Sequence, residues 1–284
     1  MAMFMIYVEN IYEKLKHFWE SKTIQRLLSK VLVVTFLLSA IVSLLRYKGW
    51  IDFGNESLNN PFFAIDISFT MLLIAELMSL IFILPKSVAK SVGKQFELLS
   101  LIYIRSAFKE FSHIHKMQWD EMGESVYYMF AYAFTAIAIF TIMGFVYKYQ
   151  KHSKICDFER DQRRFIRGKK FIALLLLLAF IGIGIFDIKN FISDGVYLRS
   201  FHVFYEALIF SDILILLIAL RYTLDYYKIF RYSAFVLATI FIRISLTVEK
   251  PYNLITGLVA AFFVLVVTIT YNYFLPVEKL KKDF

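Results

Sequence analysis

Whether the stretch ELLSLIYIR, residues 97–105, crosses the membrane decides how many times this chain spans it. Its apolar centre at 98–104 is too short to span a hydrocarbon core, which needs about 20 apolar residues. A charged residue, Glu97 or Arg105, also stands at each end. Hydropathy alone therefore predicts that residues 86–112 form an amphipathic helix at the membrane surface.

Long apolar segments surround this stretch on both sides. Of the 284 residues, 59% are hydrophobic and 19% are charged, whereas soluble domains average about 45–50% and 25%. The segments that are long enough to cross a membrane, or nearly so, are 27–45, 62–84, 126–147, 171–186, 201–220, 233–248 and 252–275. This pattern predicts an all-α integral membrane protein, because a helix satisfies its own backbone hydrogen bonds in lipid.

The distribution of Lys and Arg favours an eighth span. If residues 97–105 do not cross, the two sides of the membrane carry 13 and 17 basic residues. If a span runs from about 94 to 111, the sides carry 22 and 7. Cytoplasmic loops are enriched in Lys and Arg, so we predict eight spans in a plasma or inner membrane, with both termini cytoplasmic. Seven spans with a surface helix at 86–112 is the alternative.

Eight spans reveal an internal repeat. The sequence SLIYIR at 100–105 resembles ATIFIR at 238–243. An acid precedes each arginine by a similar distance, because Glu76 lies 29 residues before Arg105 and Asp212 lies 31 residues before Arg243. We interpret the repeat as a tandem duplication of a four-helix unit. An even number of spans gives both units the same orientation in the membrane.

The repeat predicts the organisation of the whole chain. Its parts are a cytoplasmic amphipathic segment at 1–26, a first four-helix unit at 27–150, a basic cytoplasmic connector at 151–170, a second four-helix unit at 171–276, and a cytoplasmic tail at 277–284. We expect the connector to lie near anionic lipid. Lys169 and Lys170 are expected to reach the headgroups from the start of the following span.

The net charge of +9 does not indicate nucleic-acid binding, because the basic residues are scattered between apolar segments rather than gathered on one module. The expected partner is the lipid bilayer. A homo-oligomer or a partner membrane protein is compatible with the sequence.

Charged residues within the spans are the candidate functional residues, because each costs free energy in lipid. We predict that Arg105 contacts Glu76 at mid-depth, and that Arg243 contacts Asp212 or Glu206. The remaining candidates for a polar pathway are Asp66, Glu97 and Glu206.

Two functions are compatible with these residues. The first is a transport or channel-type protein that moves an ion or small solute along a path lined by the acid–arginine pairs. The second is a non-transporting scaffold or signalling subunit that acts through a partner protein. Enzyme activity is not predicted, because no set of nucleophile, base and orienting group is visible. No metal or other cofactor is predicted either, since Cys156 is the single cysteine and no two histidines share a helical face within a span.

Overall fold

The computed structural model describes residues 2–47, 63–86, 88–110, 119–149, 159–194, 200–222 and 225–274. These residues form helices and no strand. In chain order the helices are α1 (Ala2–Trp19), α2 (Lys22–Tyr47), α3 (Phe63–Ile83), α4 (Val88–Glu110), α5 (Trp119–Tyr149), α6 (Glu159–Asp194), α7 (Phe201–Leu220), α8 (Tyr226–Thr247) and α9 (Tyr252–Phe274).

Six of these helices, α2 and α5 to α9, are long and apolar enough to cross a membrane. The prediction of an all-α membrane protein is confirmed at this level. The apolar part of α3, Ile67–Ile83, is shorter. Helix α4, which contains residues 97–105, is not among the six. The number of spans therefore stays a prediction.

Large apolar side chains project from the spanning helices. Phe140 on α5 and Phe210 on α7 are 71% and 73% exposed. Only 6% of the most apolar stretch of α2 is buried. Apolar surface on this scale is unfavourable in water and normal against lipid tails.

Helix α4 buries one stripe of side chains. Val92, Phe96, Leu99 and Tyr103 lie three or four residues apart and are almost fully buried, which places them on one face of the helix. Polar residues on α4 are buried too, including Gln95. A helix that contacts protein rather than lipid along one face does not need a long apolar run, which explains why hydropathy gives a weak signal here.

The connections between helices follow from local sequence. Ser21 accepts a hydrogen bond at Oγ from the Ile24 amide at 3.3 Å, in the manner of a residue that begins a helix, so α2 begins at Lys22 rather than at residue 27. Asp225 begins α8 in the same way and accepts from the Tyr227 amide at 3.0 Å. Pro251, which cannot donate a backbone hydrogen bond, directly precedes α9.

The structure describes the second part of the basic connector. Helix α6 begins at Glu159 and has 36 residues, so residues 159–170 continue the helix that contains the span. Residues 151–158 lie outside the described residues. Much of the connector is therefore helical and continuous with the second half of the chain.

Contacts divide the chain into two compact units. Unit 1 comprises Met1–Glu13, Leu80–Glu97 and Ile139–Phe284, and unit 2 comprises Lys14–Ser79 and Leu98–Ala138. Within unit 1, α6 packs on α7, α7 on α8, and α8 on α9. These units do not coincide with the tandem units at 27–150 and 171–276, which stay a prediction.

Candidate functional site

A pair of opposite charges lies in the interior of unit 1. Helix α7 carries Asp212 and the adjacent helix α8 carries Arg243. Arg243 is 1% exposed and Asp212 is 7% exposed. The distance from Arg243 Nη2 to Asp212 Oδ2 is 4.0 Å. The two charges therefore attract each other at a separation longer than a hydrogen bond.

The Arg243 guanidinium is incompletely satisfied. Its Nε and Nη1 atoms are buried and have no hydrogen-bond acceptor among the residues that the structure describes, and Oδ2 of Asp212 also has no donor there. Thr239 donates to the Val236 carbonyl oxygen at 2.7 Å and also interacts with the Asp212 carboxyl group. Ser211 donates to the Leu208 carbonyl oxygen at 2.7 Å. Buried polar atoms usually find a partner, so these two nitrogen atoms of Arg243 depart from the general rule.

A further basic residue, Lys169 on α6, is buried in unit 1. It is only 4% exposed. Its Nζ donates to the Lys86 carbonyl oxygen at 2.6 Å and lies 5.2 Å from the centre of the Phe165 ring. The expectation that Lys169 reaches the lipid headgroups is wrong, because its ammonium is bonded inside unit 1.

A second acid–arginine pair lies in unit 2. Arg105 Nη1 on α4 contacts Glu76 Oε1 on α3. The Arg105 side chain is 22% exposed, whereas that of Glu76 is 9% exposed. The second oxygen of Glu76, Oε2, is buried without a hydrogen-bond donor in the described part of the chain. The charged atoms of this pair are closer together than those of Asp212 and Arg243. The arginine of this pair is also more exposed.

The other predicted acids occupy different surroundings. Glu97 is 35% exposed, forms an ion pair with Lys94, and accepts a hydrogen bond from the Tyr147 hydroxyl at 2.6 Å. Gly93 allows this approach, because a Cβ there would lie 2.7 Å from a carbon of the Tyr147 ring. Glu97 therefore belongs to a partly exposed cluster.

Glu206 and Asp66 do not join the pairs. Glu206 is exposed on α7. Glu206 lies six positions before Asp212. This spacing corresponds to a rotation of about 240° around an α-helix, so the two acids face different directions. Arg243 consequently lies near Asp212 and not near Glu206. Asp66 lies within α3, and its side chain is outside the described residues.

Lys169 and Arg231 were not identified from the sequence as part of the interior. Arg231 lies on α8, and its guanidinium lies 4.6 Å from the centre of the Tyr271 ring and 5.4 Å from that of Phe235. Such cation–π contacts stabilise a partly dehydrated arginine. Both residues stand at the ends of apolar runs, where a basic residue ordinarily indicates a membrane surface.

The N-terminal helix is attached to α6 by a group of opposite charges. Glu9 on α1 accepts from Arg167 Nε at 2.8 Å and from Lys170 Nζ at 2.7 Å. Lys170 also contacts Glu13 at 2.8 Å, so it too is bonded within the protein rather than free to reach headgroups. The hydrogen bond from Lys170, with that from Arg167, holds the pKa of the Glu9 carboxyl below its ordinary value of 4.5, although burial acts in the opposite direction.

We expect Glu9→Gln to lower the free energy of unfolding by about 1 kcal/mol at pH 7, because it removes a partly exposed ionic contact. A carboxyl with a lowered folded-state pKa stabilises the protein above its unfolded-state pKa, and this stabilisation is lost as the pH falls through the folded-state value. The difference between wild type and variant should therefore shrink below about pH 4.5. Denaturation followed by circular dichroism at pH 7 and pH 4 measures this difference in the free energy of unfolding. Glu124→Gln, at an exposed acid on α5, is the control. If the stability of both variants depends on pH in the same way, the lowered pKa of Glu9 is contradicted.

No group of three or more His, Cys, Asp and Glu side chains in the described ranges is arranged to hold a metal ion. His113 and His115 lie outside those ranges. Comparisons with protein-family models, with curated proteins and with solved structures find no match to this chain.

Proposed function

We propose that this chain moves an ion or small solute across a membrane, along a polar path lined by intramembrane acid–arginine pairs. The observation that carries the proposal is Arg243, a fully buried guanidinium with two nitrogen atoms that have no acceptor in the described residues. A closed ion pair that only joins two helices would be expected to satisfy both partners. A pair that is 4.0 Å apart leaves donors for a passing solute or for water.

The architecture that we propose for this path has eight spans in two parallel four-helix units. Helix α4 supports the additional span, since its 23 residues extend about 34 Å, slightly more than a hydrocarbon core. The order of the charges supports the duplication. In each half an acid on one helix pairs with an arginine on the next, as Glu76 on α3 does with Arg105 on α4 and Asp212 on α7 with Arg243 on α8.

This topology predicts that positions 116 and 154 lie on opposite sides of the membrane. Reporter fusions after Lys116 should report the outer side, and fusions after Lys154 the cytoplasmic side, because α5 separates the two loops. A fusion after Lys48 should agree with Lys116. If Lys48 and Lys116 report opposite sides, α4 does not cross and the seven-span alternative replaces the eight-span topology.

Transport is tested with purified protein in sealed liposomes. We expect ion flux above that of protein-free liposomes, and we expect Asp212→Asn/Arg243→Gln to reduce it at least about tenfold while the helical circular dichroism spectrum is retained. The double variant removes both charges and so avoids a lone buried ion. Arg164→Gln, at an exposed arginine on α6, should leave flux unchanged. Flux that is absent in the wild type, or unaffected in the double variant, would refute the proposal.

The second candidate is a scaffold or signalling subunit that acts through a partner membrane protein. One observation favours it, namely the exposed carboxylate of Glu206 on the spanning helix α7. An ionised acid that faces lipid is costly unless a basic group of another chain or water neutralises it. If liposomes show no flux and Glu206→Gln releases a co-purifying membrane protein, this candidate replaces transport.

A further inference from the structure

Helix α1 is held against the protein along one side. Val8 and Tyr12 are only 6% and 2% exposed, and the Tyr12 hydroxyl donates to the Phe82 carbonyl oxygen at 2.7 Å. Glu9, on the same side, forms the two ion pairs with α6. The indole nitrogen of Trp19 donates to a serine hydroxyl on α3 at 3.1 Å. These contacts determine which sides of α1 face away from the protein.

Two stripes of side chains lie on the remaining sides of α1, since residues three or four positions apart share one face of a helix. The apolar stripe comprises Tyr7, Ile11, Leu15 and Phe18. The polar stripe comprises Asn10, Lys14 and His17, all exposed. Tyr7 and Phe18 are 66% and 64% exposed, and a contiguous apolar surface of this kind marks a contact with another molecule or with a membrane.

The position of the apolar stripe identifies the membrane as its partner. Only Glu20 and Ser21 separate α1 from α2, so Phe18 stands close to the beginning of α2. Helix α2 is long and apolar enough to cross a membrane, and only 6% of its most apolar stretch is buried. Lys22 and Arg26 are exposed at its beginning, and positive charge there is attracted to anionic lipid headgroups. Apolar surface and positive charge therefore occur together at the point where α2 would enter the membrane.

We propose that α1 lies along the membrane surface, with the apolar stripe among the phospholipid acyl chains just below the headgroups and the polar stripe in water. A helix with one apolar and one polar side takes this position, because each side then meets a solvent that suits it. The side that carries Tyr12 and Glu9 remains on the protein, so phospholipid covers the apolar stripe alone. This position of α1 does not depend on whether the protein moves a solute.

Neighbouring residues of α1 provide matched positions for a test. Phe18 belongs to the apolar stripe and His17 to the polar stripe, and Tyr7 and Asn10 form a second such pair; all four are exposed. Cys156→Ser removes the single cysteine of the chain. In this background each of the four residues is replaced by cysteine, one per variant, and labelled with a bimane fluorophore. The full chain is then reconstituted into liposomes of phosphatidylcholine and phosphatidylglycerol, made with or without brominated acyl chains.

We expect brominated acyl chains to quench the labels at positions 7 and 18 at least about threefold more than those at positions 10 and 17, because an interfacial helix buries its apolar side about 5–10 Å into the lipid. Iodide in the buffer should quench in the opposite order, since it reaches only labels that are in water. Equal quenching of all four labels by bromine, or stronger quenching at positions 10 and 17, would refute the proposal. Each pair gives the comparison independently, so the result does not depend on the folding of any one variant.

Protein density distinguishes lipid from a second copy of the chain as the occupant of the apolar stripe. The label at position 18 is measured at two protein-to-lipid ratios that differ about tenfold, because contact between copies follows mass action. Quenching by bromine that is the same at both ratios supports lipid. Quenching that disappears at the higher ratio means that a second copy covers the apolar stripe, and refutes the proposal. If neither bromine nor iodide reaches positions 7 and 18 at either ratio, protein covers the stripe and the proposal is also refuted.

Discussion

Arg243→Leu is expected to lower the free energy of unfolding by about 3–5 kcal/mol, because it leaves Asp212 as an uncompensated charge in the protein interior. The effect should be large because both side chains are inaccessible to water, at 1% and 7% exposure. Replacement of both residues, in Asp212→Leu/Arg243→Leu, removes the charges together and should cost much less. Unfolding of the purified protein by SDS in mixed micelles, followed by circular dichroism, measures these differences.

The control for this prediction is Arg164→Leu, which makes the same substitution at an exposed position of α6. It should change the free energy of unfolding by no more than about 0.5 kcal/mol. All four proteins should be compared in the same buffer. If the single and double substitutions at the pair cost the same, the two side chains do not stabilise each other and the electrostatic interpretation of the 4.0 Å distance is wrong.

Arg105→Leu is expected to cost roughly 2–3 kcal/mol, somewhat less than Arg243→Leu. The reason is that the Arg105 side chain is 22% exposed, so water can partly reach the Glu76 carboxylate once the arginine is removed. Glu76→Leu/Arg105→Leu should recover most of the lost stability. The same SDS titration measures both variants.

Ion flux through Glu76→Leu/Arg105→Leu separates a structural role from a functional one. The proposed path predicts that this variant folds and loses flux, because Glu76 and Arg105 line the path. If it folds and retains flux, the Glu76–Arg105 pair only joins α3 to α4, and transport depends on the pair in unit 1 alone. If Arg105→Leu does not change the free energy of unfolding, water already screens the charges of this pair.

The membrane class and most helix positions were predictable because they depend on local composition. Apolar length is a property of consecutive residues, and α7 begins and ends at the residues that the apolar run predicts, Phe201 and Leu220. Boundaries were less predictable where polar residues continue a helix, as at Glu159 in α6. Helix α4 gave the weakest signal, because a helix with one face against protein can be polar and still be ordered.

The acids and arginines at mid-span could be selected from the sequence because a charge in an apolar run is rare and its spacing recurs. The spacing of Asp212 and Arg243 also indicated which partners to expect. The sequence could not distinguish Asp212 from Glu206 as the neighbour of Arg243. That choice depends on which face of α7 packs against α8, and the exposed face carries Glu206.

Local composition accounts for the helical membrane character of the chain and for the residues whose charges are costly in lipid. Which of these charges are buried together depends on how the helices pack. Lys169 bonds to the carbonyl of Lys86, 83 residues away along the chain, and no local pattern records that contact. Hydrophobic length is encoded residue by residue, whereas the pairing of Asp212 with Arg243 exists only because packing brings α7 and α8 together.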